Sequence, residues 1–119
     1  YASDRAMVQF EAQGMLVRFV LRLPDTEDFA RTPTRRHRRS DDSKHKAWEQ
    51  ACRQRWRALA LCIKAKLEAV ESNITTFERE FLAHIVDPTT DRTVGDAVVP
   101  QITRIYETGE SVPLLPHMD

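Results

Sequence analysis

Between Ser43 and Glu71 the chain carries no glycine and no proline, and its large apolar residues recur at helical spacing. Trp48, Cys52, Trp56, Leu59, Ile63, Leu67 and Val70 are separated by 4, 4, 3, 4, 4 and 3 positions. At about 3.6 residues per turn they fall within an arc of about 100°, the width of a face turned toward a core. Ala47, Ala51, Ala58, Ala60, Ala65 and Ala69 add local helix propensity. Arg53, Arg57, Lys64, Glu68 and Glu71 lie mostly off the stripe. Ser40, Asp41, Asp42 and Ser43 all suit the N-terminal end, as caps or as acids near its positive pole. A helix of this length spans ~42 Å, more than the diameter of a small domain. It must therefore overhang or be covered by a partner.

The rest of the chain has to supply what that helix packs on. From Leu16 to Leu23 apolar and polar residues alternate: Val17, Phe19, Leu21 and Leu23 share one face, and Arg18, Val20 and Arg22 the other. This is the period of a half-buried strand. Met7–Phe10 is also strand-like, and Ala12-Gln13-Gly14 either turns a hairpin or bulges one long strand. Pro24 ends the strand because it has no N–H for a ladder. Asn73 marks the C-terminal stop of the long helix. Thr75-Thr76-Phe77-Glu78 then matches a capping box, predicting a helix to about Ile85 that buries Phe77, Phe81, Leu82 and Ile85. Asp87–Asp91 is a turn. Val94, Val98, Ile102 and Ile105 or Tyr106 predict a third helix, kinked or broken at Pro100 and ended by Gly109.

The expected fold is α+β: an N-terminal β-hairpin or strand pair packed on one long amphipathic helix and two shorter ones. At 119 residues the chain suits a single domain. Its expected parts are strands at about 7–23, a basic loop at 24–42, helices at about 43–72, 76–86 and 94–108, and an extended tail at 110–119. A lone hairpin is marginal in water. It must pack on the helices or extend its sheet across a dimer, so a homodimer is the expected state.

Eighteen basic residues balance eighteen acidic ones, so net charge gives no reason to expect a nucleic-acid or membrane partner. No apolar run approaches the ~20 residues that span a bilayer. The N-terminal Tyr1-Ala2-Ser3-Asp4-Arg5 has no apolar export segment, and a cytoplasmic setting is expected. Cys52 and Cys62 lie ten positions apart on one helix, ~15 Å, too far for a disulfide. Both are expected to be buried thiols.

Local charge is less even. Arg31, Arg35, Arg36, His37, Arg38, Arg39, Lys44 and Lys46 cluster just ahead of a helix that adds Arg53, Arg55 and Arg57. Guanidinium groups grip phosphate oxygens in bidentate pairs. The cluster has no interleaved aromatic residue for stacking on bases, and Glu27, Asp28, Asp41 and Asp42 lie close enough in sequence to neutralise it. A solvated or internally paired loop is the first expectation; a polyanion site at Arg31, Arg35, Arg36, Arg38, Arg39, Lys44 and Lys46 is the second.

His45, Glu49 and Cys52 share a helix face and are metal-ligand types, but no paired zinc motif accompanies them. No metal, cofactor or small-molecule substrate is expected. There is no nucleophile elbow and no glycine-rich phosphate loop, so an enzyme is not expected. Trp48 and Trp56 are core residues on this reading, with an oligomer interface as the alternative, where Trp is enriched.

The stretch from Lys46 through His84 resembles small uncharacterised bacterial proteins of the domain-of-unknown-function kind. The resemblance implies a bacterial origin, in accessory genomic material, and brings no activity or site residues. The function expected is that of a non-catalytic accessory protein acting through protein–protein contacts or self-association. A nucleic-acid-associated protein using the Arg-rich 31–46 segment is the alternative.

Overall fold

The computed structural model describes residues 5–30 and 40–114. The architecture is α+β. Strands β1 (Arg5–Ala12) and β2 (Met15–Arg22) pair as an N-terminal hairpin. Gln13 and Gly14 join them with φ of 52° and 76°. Two successive positive φ values make the tight turn whose twist matches the flanking strands. The bulged-strand alternative is thereby ruled out. A 3-10 turn at Thr26–Phe29 follows, capped by Asp25, whose carboxylate accepts from Glu27 N at 3.0 Å.

Helix α1 (Asp41–Glu71) is 31 residues long. Ser40 caps it: its Oγ accepts from Ser43 N at 3.2 Å. At the far end Asn73 takes a φ of 60°. Ile74 N then donates to Ala69 O at 3.0 Å and Asn73 N to Val70 O at 3.1 Å, so the last carbonyls of the helix are satisfied by a Schellman closure.

The second helix is shorter than its pattern predicts. Helix α2 (Phe77–Phe81) gives way to a 3-10 turn at Leu82–His84 and then to strand β3 (Val86–Asp87). Its cap is Thr76, not Thr75, with Thr76 Oγ1 accepting from Arg79 N at 3.2 Å. Phe77 and Phe81 are buried as expected, whereas Leu82 is exposed because the turn rotates it off the helical stripe. β3 pairs antiparallel with β4 (Arg92–Thr93). Asp87 Oδ1 accepts from Thr89 N and Thr89 Oγ1 at 2.9 and 2.6 Å and shapes the turn between them.

Helix α3 (Val94–Thr108) runs through Pro100 without a break. A proline inside a helix leaves the carbonyl four residues earlier without its donor. That carbonyl belongs to Asp96, and Arg92 Nη2 donates to it at 2.8 Å. The side chain replaces the missing backbone bond, and of the two expectations, a kink or two short pieces, the two pieces are not found. Thr93 Oγ1 caps the helix from Asp96 N at 3.1 Å, and Gly109 ends it with a φ of 72°. Gly95 lies tight against the preceding 3-10 turn: a Cβ there would stand 2.8 Å from Ala83 O.

The chain divides into two compact units, one of residues 1–8 and 20–67, the other of residues 9–19 and 68–119. Most buried side chains belong to the second. Val17, Phe19, Phe77, Phe81, Val86 and Thr93 are enclosed there, against Ala6, Leu23 and Ala30 in the first. Phe81 is the centre of the second unit's core. Its ring stacks on Phe77 at 4.8 Å and meets Phe10 and Phe19 edge-on at 6.2 and 6.3 Å. His84 stacks on Phe19 at 4.1 Å, and Val17 bridges to Ile85.

Candidate interaction site

In the first unit α1 is held by polar ties to the chain that follows β2. Trp48 Nε1 donates to Pro24 O at 2.7 Å, and Arg55 Nη1 donates to Arg22 O at 2.8 Å. Lys44 Nζ pairs with Glu27 Oε1 at 2.8 Å. These ties set which side of the helix faces inward. Trp48, Cys52, Leu59, Ile63 and Val70, five members of the predicted stripe, are half-buried. No residue of α1 is fully buried, so the stripe marks the inward side without making it a closed core.

The two tryptophans expected to act together have different surroundings. Trp48 has its N–H used and its ring stacked with His45 at 5.7 Å. Trp56 is 37% exposed, and Leu67 on the same side is 42% exposed. Trp56, Ala60 and Leu67 lie within one narrow arc of the helix, and Arg53, Arg57 and Lys64 border it on its outer side. Leu61 is exposed on the opposite side. The interface expectation thus rests on Trp56 rather than on the pair.

Of the seven predicted polyanion residues, Arg31, Arg35, Arg36, Arg38 and Arg39 lie outside the described residues, as does His37. The remaining two are ion-paired: Lys44 with Glu27, and Lys46 with Asp42 at 3.2 Å. His45 and Glu49 meet at 2.6 Å. Cys52 is half-buried, and burial pushes its thiol pKa up while Arg55 and Arg53 pull it down. Cys62 is exposed, contrary to the expectation of two buried thiols, because it falls outside the inward arc. Among the described residues no cluster of three or more His, Cys, Asp or Glu could hold a metal, and no helix is long and apolar enough to cross a membrane. A depression of about 400 Å3 lined by Asn73, Ile74, Thr75, Thr76 and Arg79 contains one charged group, Arg79.

The second unit has an open apolar surface of its own on α3. Val94, Ala97, Val98, Gln101 and Ile105 turn inward. Val99, Ile102 and Tyr106 form a ridge on another side and are exposed, Tyr106 to 86%. Ile102, expected in the core stripe, therefore belongs to the outer ridge, and of the pair Ile105 and Tyr106 it is Ile105 that packs. Asp96 and Glu107 lie beside the ridge, and Glu110 follows the helix end.

The two units also differ in charge. The first contains fourteen Lys and Arg against seven Asp and Glu; the second contains four against eleven. The neutral chain is thus a unit of net +7 joined to one of net −7. The sequence patch made this partly visible, but the whole-chain total concealed it.

Comparison of the chain with protein-family models, with curated proteins and with solved structures returns no match.

Proposed function

We propose that this is a non-catalytic protein that acts by protein–protein contact, first of all by self-association, through the open side of α1. The observation that carries this reading is a 31-residue helix with no buried residue and with Trp56 and Leu67 exposed on one side. Apolar surface of this kind gains about 25 cal/mol per Å2 when it leaves water. Tryptophan and arginine are the residues most often found to dominate binding interfaces, and here Trp56 lies beside Arg53 and Arg57. Sedimentation equilibrium tests the reading. The protein should self-associate in a concentration-dependent way, and Trp56→Glu with Leu67→Glu should weaken that association by about tenfold or more, equivalent to ~1.4 kcal/mol. A wild-type protein that stays monomeric at the highest attainable concentration refutes it.

A second reading, binding of nucleic acid or another polyanion, is favoured by the first unit's excess of fourteen basic over seven acidic residues. It would use Arg31, Arg35, Arg36, Arg38 and Arg39, with Lys44 and Lys46 partly neutralised by their ion pairs. Fluorescence anisotropy with labelled DNA and RNA checks it. Affinity should fall steeply with salt and disappear when Arg35, Arg36, Arg38 and Arg39 are replaced by Ala; no binding at low salt rules it out.

A further inference from the structure

We infer that the surface met by the open side of α1 is the Val99–Ile102–Tyr106 ridge of α3 on a second copy of this chain. The inference rests on the self-association reading and names the partner of that same site. Both surfaces are apolar strips on one side of a helix, the geometry that lets two helices pack ridge into groove. Trp56 and Leu67 supply one strip, and Val99, Ile102 and Tyr106 the other.

Charge decides between the available pairings. Beside the α1 strip stand Arg57 and Lys64, with Arg53 paired to Glu49 at 3.6 Å and Glu71 at the helix end; beside the α3 strip stand Asp96 and Glu107, with Arg104 farther round and Glu110 beyond. Packing α1 on α1 as an antiparallel pair centred near Leu61 sets Arg57 against Lys64 of the second copy at the middle of the strip. Packing α3 on α3 brings Asp96 and Glu107 together, with one basic residue, Arg104, on the helix to offset them. Like charges brought together at an interface disfavour it strongly. Only α1 on α3 joins apolar to apolar and basic to acidic. The described residues of the two units, nine basic against six acidic in the first and four against ten in the second, point the same way. A second copy offers each unit a surface of opposite sign, whereas a polyanion would satisfy only the first unit and be repelled by the other.

The test is a charge-swap series followed by sedimentation velocity at low and high salt. One variant carries Arg57→Glu and Lys64→Glu, the other Glu107→Lys and Glu110→Lys. All four positions are exposed on the helical segment or just beyond it, and helical circular dichroism is recorded for each to confirm folding. Each variant alone should associate about tenfold more weakly than wild type or worse. An equimolar mixture should recover wild-type association, because each copy then meets a complementary border on both of its surfaces. Raising the salt should weaken the wild type and the mixture alike.

If the α1 variant is impaired and the α3 variant is not, α1 meets another surface of the second copy. That result overturns this inference and leaves self-association standing. If both variants are impaired and the mixture does not recover, the pairing is also wrong. Deleting residues 112–119 is the control for the chain's own apolar tail: loss of assembly on deletion with an unaffected α3 variant assigns the site to the tail. A monomeric wild type overturns both readings, and if it binds DNA or RNA the basic surface belongs to a polyanion.

Discussion

Phe81 and Trp48 are both large aromatic residues on helices, and their two units treat them differently. Phe81 is fully buried, with Phe10, Phe19 and Phe77 packed around its ring. Trp48 is half-buried and is positioned by one hydrogen bond, from its indole N–H to Pro24 O. The first arrangement is a closed core. The second is a helix tied down along one side, with side chains left open on another. The acidic unit therefore holds most of the enclosed side chains, and the basic unit holds most of a long helix with none fully buried.

The contrast can be broken by substitution. Phe81→Ala should have the largest effect, about 3–5 kcal/mol of unfolding free energy, because it empties a site that no solvent reaches. Urea denaturation measures it. Trp48→Phe keeps most of the ring area and removes the N–H, so the same measurement should find about 1 kcal/mol. Should Trp48→Phe cost as much as Phe81→Ala, the first unit would have a core of its own and the contrast would fail.

The smallest effect is a pH dependence confined to the second unit. Hydrogen bonds from the Thr89 side chain and backbone hold the Asp87 carboxyl below its ordinary pKa of 3.8. A carboxylate with a lowered native pKa stabilises the fold fully above its unfolded value and loses that contribution as pH falls through the native one. The urea midpoint should decline slightly as the solution is acidified below 3.8. Asp87→Ala should remove that part of the decline while leaving the rest of the acid profile in place.

Much of this was legible in the residues. The alternation of Val17, Phe19 and Leu23 against Arg18, Val20 and Arg22 identified the inward side of β2, and the spacing of Phe77 and Phe81 identified the core of the second unit. Asn73 and Gly109 ended their helices where backbone freedom predicts. Periodicity, however, reports direction and not depth. It places Trp48 and Trp56 on one stripe, but only the fold distinguishes the one tied to Pro24 from the one facing water. Thr75 and Thr76 are chemically equivalent as caps, and the choice between them depends on which hydroxyl reaches Arg79 N. The open ridge of α3 was hidden for the same reason as Trp56: Ile102 fits a core stripe until its neighbours Val98 and Ile105 are seen to take the inward positions. The opposed charges needed the unit boundaries before they could be counted.

The carbonyl of Asp96 ties two positions eight residues apart into one mutational unit. Pro100 removes its backbone donor and Arg92 supplies another. A chain that restores an N–H at position 100 no longer needs an arginine at 92, whereas a chain that loses Arg92 and keeps Pro100 leaves an exposed carbonyl for water to hydrate.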